Sequence, residues 1–128
     1  MINITLVRHG HARHSLDSAL YDDYRVLSAE GRAAVRRSGA RLLEQSVTPT
    51  VVWASPLTRA LQTAELLLRA LDSNVDVDVL ACLEPGGDLG ELLERLSELP
   101  HDSDVLLASH EPLCSRLGSI FTGQAING

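Results

Sequence analysis

Apolar and polar positions along the 128-residue chain follow two alternating patterns. Short runs rich in β-branched or alternating apolar residues predict strands over residues 2–7, 50–54, 75–79 and 105–108. In the segments that follow, apolar residues recur every three or four positions, which predicts helices over residues 29–45, 55–71, 89–99 and 112–121. Strands that alternate with helices favour an α/β fold, a three-layer sandwich with a mostly parallel central sheet flanked by helices.

Residue types at the helix boundaries support this interpretation. Ser28 and Asp88 are suited to accept hydrogen bonds from the first free backbone N–H groups of the helices that follow them. Ser55 is expected to do the same for the second helix, with Pro56 in its first turn. The apolar face of the first helix is expected to consist of Val35, Gly39, Leu42 and Leu43.

The C-terminal end carries one more strand-like run. Ala125 and Ile126 begin it, and the chain ends at Gly128. We therefore expect a single domain over residues 1–128 that is short at its C-terminal end. Its sheet would lack one or more C-terminal strands, which would leave an edge strand exposed.

Composition narrows the range of functions and partners. No apolar run approaches the roughly 20 residues of a membrane span, and no basic stretch precedes a long apolar one at the N-terminus. We therefore expect a cytoplasmic protein with no membrane partner. The net charge of −6 is opposite to that of a nucleic-acid-binding surface, so no nucleic acid is expected either. All 11 basic residues are arginine, and the lack of lysine excludes a P-loop and Schiff-base chemistry.

Three groups of chemically active residues stand where predicted strands end. Residues 8–10 (Arg-His-Gly) follow the first strand, residues 55–59 (Ser-Pro-Leu-Thr-Arg) the second, and residues 109–110 (Ser-His) the fourth. In open α/β sheets, ligands bind beyond the carboxyl ends of the strands. Two histidines and two arginines are therefore expected to converge at one rim of the sheet.

Histidine and arginine in one site are typical of phosphoryl transfer. A neutral imidazole is a good nucleophile near pH 7, so His9 can take a phosphoryl group covalently and release it to water. Fixed cations stabilise the charge on the phosphoryl oxygens, and Arg8 and Arg59 provide them. Gly10 would let the backbone approach this group closely, and His110 would supply a further contact.

The three motifs together resemble those of the histidine phosphatase superfamily, the phosphoglycerate mutase-like group with an Arg-His-Gly (RHG) motif. They occur in order and on the expected elements, over residues 8–10, 55–64 and 109–110. Residues 25–31 also resemble the segment that leads into the first helix of this family.

The resemblance implies a role for each matching residue. His9 would be the phosphorylated nucleophile, and Arg8, Arg59 and His110 would complete the catalytic pocket that holds the phosphoryl group. The resemblance also implies that Arg25 binds the substrate, in addition to Gly10. Phosphate, sulfate or vanadate would occupy the same pocket, and no cofactor is implied.

The compact size and residues 83–88 (Leu-Glu-Pro-Gly-Gly-Asp) are most similar to the bacterial phosphohistidine phosphatases of this superfamily. Those enzymes act on phosphotransfer domains of two-component signalling proteins, which implies a phosphorylated protein as the partner. Relatives that act on phosphate esters place a glutamate after the third strand as general acid. Cys82 stands at that position here, and Glu84, two positions on, is the candidate acid.

Two other functions stay open on the sequence alone. One is a phosphatase for small phosphate esters, and the other is a non-catalytic module that binds phosphate or a phosphoprotein. A metal site is disfavoured. In the similar metallohydrolase motif an aspartate replaces Arg13, and a guanidinium there and at Arg8 would repel a dication bound by His9, His11 and His14.

Overall fold

The computed structural model describes residues 2–10, 12, 25–111, 113–120 and 124–127. The strands are β1 (Asn3–Arg8), β2 (Val51–Ala54), β3 (Val77–Val79), β4 (Asp104–Ser109) and β5 (Gln124–Asn127). The helices are α1 (Ala29–Glu44), α2 (Thr58–Ala70), α3 (Leu89–Ser97) and α4 (Leu113–Ile120). A short 3-10 helix over Ala81–Leu83 links β3 to α3.

The strands form one sheet in the order β3-β2-β4-β1-β5, and each neighbouring pair is parallel. The strands that precede the three motifs, β2, β4 and β1, are therefore adjacent, with their carboxyl ends side by side. The backbone ladder continues one residue beyond β1 and one residue beyond β2. The N–H of His9 donates to the carbonyl of Ser109, and the N–H of Ser55 donates to the carbonyl of Ala108, both at 3.0 Å.

Helices cover both faces of the sheet because the inner strands are apolar on both sides. In β4, Leu106 and Ala108 face one layer, Val105 and Leu107 face the other, and all four are 0% exposed. The first layer contains the buried side chains of α1 and α2, and the second contains those of α3 and α4. The predicted three-layer α/β architecture is confirmed.

Two of the three predicted helix caps are confirmed. The side chains of Ser28 and Asp88 accept hydrogen bonds from the backbone N–H three residues on, at 3.0 and 3.2 Å. The prediction for Ser55 is wrong, because α2 begins only at Thr58, after Leu57, and has no side-chain cap. Ser55 instead extends the ladder of β2, which leaves its hydroxyl to other partners.

The apolar face of α1 is narrower than predicted. Val35, Gly39 and Leu42 are buried, but Leu43 is 55% exposed. Leu43 lies one residue, about 100°, round the helix from Leu42, which carries it off the face that meets the sheet. Among the described residues, no helix is long and apolar enough to cross a membrane.

The predicted C-terminal strand is present as β5. Its residues Gln124–Asn127 pair in parallel with Thr5–Arg8 of β1. This pairing places β5 at one edge of the sheet and β3 at the other.

Candidate active site

His9 follows β1 directly, and its ring is fixed by the next residue. Nδ1 of His9 lies 2.7 Å from the carbonyl oxygen of Gly10. A carbonyl can only accept a hydrogen bond, so Nδ1 carries the proton and Nε2 keeps its lone pair in the neutral ring. The atom of His9 that could act as a nucleophile is therefore Nε2.

Helix α2 brings Arg59 to this lone pair. Arg59 is the second residue of the helix and is only 4% exposed. Its Nε donates to Nε2 of His9 across 3.3 Å. A buried cation in the first turn opposes the helix dipole. Its place beside an imidazole nitrogen at the sheet rim fits a guanidinium that also binds an anion.

His110 completes the group from the end of β4. It is 2% exposed, and its ring centroid lies 4.9 Å from that of His9, with the two planes tilted by 59°. Nε2 of His110 lies 2.8 Å from Oγ of Ser55. That hydroxyl also accepts from the N–H of Leu57 at 3.2 Å. Ser55, expected as a helix cap, is thus a contact of the second histidine.

The surroundings lower the pKa of His9 from its usual value of 6.5. Burial is the main cause, because it penalises the charged imidazolium. The charges of Arg59, Arg25 and Arg8 act in the same direction, whereas the hydrogen bond to Gly10 opposes them. The site thus favours the neutral imidazole at pH 7, and Arg8 and Arg25 both lie within electrostatic range of it.

Gly10 packs tightly between α1 and α2. A Cβ on Gly10 would lie 3.0 Å from the carbonyl oxygen of Gly31 and 3.0 Å from Cγ2 of Val35. The Gly10 N–H donates to Oγ1 of Thr63 at 3.2 Å. These contacts give a second reason for this glycine, and the expected close approach of its backbone to the phosphoryl group stays a prediction. Close packing against α1 requires a glycine here, and its N–H is already engaged.

Arg25 stands on a segment that is tied to α2. Two residues on, the N–H of Leu27 donates to Oε1 of Gln62 at 2.8 Å. Leu27 also forms an antiparallel bridge with Ala12. These contacts fix the backbone beside Arg25, whose charge reaches His9.

Glu84 follows the 3-10 helix at the same rim. The carbonyl of its neighbour Leu83 accepts a hydrogen bond from Oγ of Ser109 at 2.7 Å. Ser109 precedes His110, so this bond brings the backbone of Glu84 towards the second histidine. The role of Glu84 as general acid stays a prediction.

Four polar side chains form hydrogen bonds that connect the segments carrying His9, Arg25, Arg59, Glu84 and His110. No role in the site is predicted for them from the sequence: Ser55, Gln62, Thr63 and Ser109. All of them lie inside the three motifs, and that position is the one signal that marks them in the sequence. Their partners are distant along the chain, which is why no local pattern reveals what each side chain binds.

The sequence disfavours a metal site. Within the described part of the chain, no three His, Cys, Asp or Glu side chains come together as a cation site. His11, Arg13 and His14, which belong to the disfavoured metal motif, lie outside the described residues.

A parallel α/β sheet with two histidines and buried guanidinium charge at its carboxyl rim is an arrangement that can bind a phosphoryl group through imidazole and arginine. The sequence profile of the histidine phosphatase superfamily (branch 1) matches residues 4–84, and the chain belongs to that superfamily. The resemblance seen in the three motifs is thereby confirmed.

Two curated relatives and one solved structure place the chain within this group. Phosphohistidine phosphatase SixA of Escherichia coli (strain K12) is 34% identical over 118 residues, which are 91% of this chain and 71% of SixA. Phosphoglycerate mutase 1 of Saccharomyces cerevisiae is 37% identical over 73 residues, which are 56% of this chain and 30% of the mutase. The structure of the protein histidine phosphatase SixA complexed with tungstate has a TM-score of 0.80 at 34% identity, over 89% of this chain and 72% of that one. The chain is thus a phosphatase of the histidine phosphatase type.

Proposed function

We propose that the protein removes a phosphoryl group from phosphohistidine on a signalling protein through a phospho-His9 intermediate. One observation carries the proposal: the 3.3 Å contact between Nε of Arg59 and Nε2 of His9. A neutral imidazole whose lone pair points at a guanidinium can attack a phosphorus atom whose oxygens the guanidinium binds. The similarity to SixA, a phosphohistidine phosphatase, supports the choice of substrate.

The proposed reaction has two displacements. Nε2 of His9 attacks the phosphorus, so a new N–P bond forms while the P–N bond to the substrate histidine breaks, and the leaving imidazole takes up a proton from the solvent. Water then attacks the phosphorus of phospho-His9 and returns one proton to the solvent. The second N–P bond breaks, inorganic phosphate leaves, and Nε2 regains its lone pair. Because the first step exchanges one imidazole for another, no large difference in bond energy opposes it.

Each neighbour of His9 has a part in this scheme. Arg8, Arg59 and His110 hold the phosphoryl oxygens, and Arg25 adds a further positive charge. The bond from Nδ1 to Gly10 stabilises the ring while it carries the phosphoryl group. Guanidinium groups supply the positive charge, so the proposed reaction uses no metal and no cofactor. A cytoplasmic phosphotransfer domain of a two-component protein is the proposed partner.

Trapping the phosphorylated enzyme tests the proposal. The wild type and His9→Asn are mixed with a phosphotransfer domain that carries labelled phosphohistidine, then quenched in alkali and digested. We expect label on His9 of the wild type, release of inorganic phosphate, inhibition by vanadate and resistance to chelators. His9→Asn is expected to carry no label and release no phosphate. Full turnover by His9→Asn, or label on another residue, would overturn the proposal.

Small phosphate esters are the alternative substrates. The match to a phosphoglycerate mutase favours these esters, because the name of that enzyme indicates a small phosphorylated substrate. We compare kcat/KM for the phosphorylated domain with kcat/KM for alkyl phosphates. A strong preference for the esters would reject the phosphoprotein substrate, and phosphate binding without any turnover would support a non-catalytic module.

A further inference from the structure

Thr63 joins the two elements that carry His9 and Arg59, and it is 0% exposed. Its hydroxyl donates to the carbonyl of Arg59, one helical turn earlier, across 2.8 Å. That bond uses the single hydroxyl proton, so the lone pairs of Oγ1 remain free to accept. The N–H of Gly10 donates to one of them across 3.2 Å.

The chain of contacts continues from Gly10 to His9. The carbonyl of Gly10 accepts the proton on Nδ1 of His9 at 2.7 Å. Thr63 thus fixes one side of Gly10, and the other side of Gly10 fixes the imidazole. The same hydroxyl also holds the first turn of α2, from which Arg59 reaches Nε2 of His9.

We propose that Thr63 is a positioning residue, whose hydroxyl holds Gly10 against the first turn of α2 and thereby keeps His9 in the Nδ1–H form with Nε2 facing Arg59. Without the hydroxyl, the buried N–H of Gly10 would lack an acceptor, and the backbone on both sides of Gly10 would shift to bring that N–H to another acceptor. The Gly10 carbonyl would then leave Nδ1, and the ring could rotate or change tautomer. The expected effect on catalysis rests on the proposed function, whereas the effect on the tautomer does not.

Variants that differ by the hydroxyl alone test this proposal in the full chain. Thr63→Val keeps the shape of threonine without its hydroxyl, and Thr63→Ser keeps the hydroxyl without the methyl group. Thr63→Ala, compared with Thr63→Ser, serves the same purpose if the valine variant does not fold. Thr5→Val is the control, since Thr5 is also a buried threonine, on β1, and has no proposed part in the reaction.

Two quantities are measured for each variant. The first is the tautomer of His9 from the ¹⁵N shifts of its imidazole, assigned by comparison with His9→Asn. The second is kcat/KM per folded molecule. We expect Thr63→Val and Thr63→Ala to populate the other tautomer and to lose about 10²-fold in kcat/KM, as misplacement of a reacting group does. Thr63→Ser and Thr5→Val are expected to keep the wild-type tautomer and rate.

A wild-type tautomer in Thr63→Ala or Thr63→Val would overturn the proposal, as would an equal loss in Thr63→Ser. If the wild type itself shows no turnover, the proposed function fails, but the tautomer measurement still decides the role of Thr63.

Discussion

Nε of Arg59 lies 3.3 Å from Nε2 of His9, so a guanidinium N–H occupies the lone pair that the proposed reaction needs. This contact orients the imidazole ring of His9. A phosphoryl oxygen carries more negative charge than an imidazole nitrogen and accepts a stronger hydrogen bond. We infer that the phosphoryl group draws the N–H of Arg59 to its oxygens and frees Nε2 at the moment it comes within reach.

Replacing Arg59 by glutamine tests the effect of this arginine on catalysis and its effect on the pKa of His9. We expect Arg59→Gln to lower kcat/KM by about 10²–10³-fold, the usual effect of removing one preorganised donor. We also expect the pKa of His9 to rise, because the charge of Arg59 helps to lower it. Steady-state kinetics and an NMR titration measure the two effects. Arg69→Gln is the matched control, since Arg69 is an exposed arginine of the same helix. An unchanged pKa in Arg59→Gln would contradict this account.

The lowered pKa of His9 sets the acid limb of the activity profile. Attack requires the neutral imidazole, which the site favours through burial and nearby guanidinium charges. We expect kcat/KM to stay level through pH 7 and 6.5 and to fall only as the pH drops through the lowered pKa of His9. A profile of kcat/KM against pH measures this. A fall that begins above pH 6.5 would mean that another group controls the reaction.

The same shift makes the folded protein less stable in mild acid. His9 takes up a proton near pH 6.5 in the unfolded chain, but only at lower pH in the native site. The unfolded state therefore binds more protons in this window, and stability falls as the pH drops from 6.5 through the native pKa. We expect urea denaturation to show a smaller loss between pH 7 and about pH 5 for His9→Asn than for the wild type. Equal losses would show that His9 contributes nothing to this pH dependence.

Local features of the fold could be predicted well from the sequence. The helix caps at Ser28 and Asp88 depend on residues three positions apart, so the pattern contains both partners. Ser55 has the same local pattern, but its hydroxyl contacts His110, 55 positions along the chain. No periodicity records such a contact. The prediction that Leu43 is buried was wrong for a different reason. The width of the buried face of α1 depends on how the helix packs on the sheet, which the pattern of apolar residues does not contain.

The meeting of the motifs could be predicted because the carboxyl ends of parallel strands share one rim. The order of strands in the sheet could not be predicted. β4 lies between β1 and β2, although it comes last of the three in the sequence. That order decides which side chains touch. It places Ser109 against Leu83, and His110 against Ser55. The arginine and histidine residues were visible in the motifs, whereas the groups that orient them were not.

The packing of Gly10 predicts a substitution that disturbs both fold and site. We expect Gly10→Ala to lower the free energy of unfolding by about 1–3 kcal/mol, because the new Cβ would press on the Gly31 carbonyl and on Val35. The carbonyl belongs to the backbone of α1 and cannot turn aside. Movement of Gly10 would shift His9, so kcat/KM per folded molecule is also expected to fall. Chemical denaturation and kinetics on the folded fraction measure the two effects.

Gly39→Ala is the control that separates these effects. Its Cβ would lie 2.5 Å from Cβ of Ala70, where α1 crosses α2 away from the site. We expect a comparable loss of stability with an unchanged kcat/KM per folded molecule. If both glycine variants retained full activity when folded, packing at Gly10 would have no influence on His9.

The candidate acid Glu84 gives a prediction that also separates the two substrate classes. An alkoxide is a poor leaving group and needs a proton as the ester bond breaks, whereas the imidazole of phosphohistidine leaves more easily. We therefore expect Glu84→Gln to lower kcat/KM for an alkyl phosphate by about 10²–10⁴-fold and to change turnover of the phosphorylated domain far less. Glu94→Gln, an exposed carboxylate on α3, is the control and is expected to change neither. Equal losses on both substrates would make Glu84 a general acid for both reactions. No loss on either substrate would exclude it as the acid, and protonation of the leaving group would then fall to water or to another side chain at the rim.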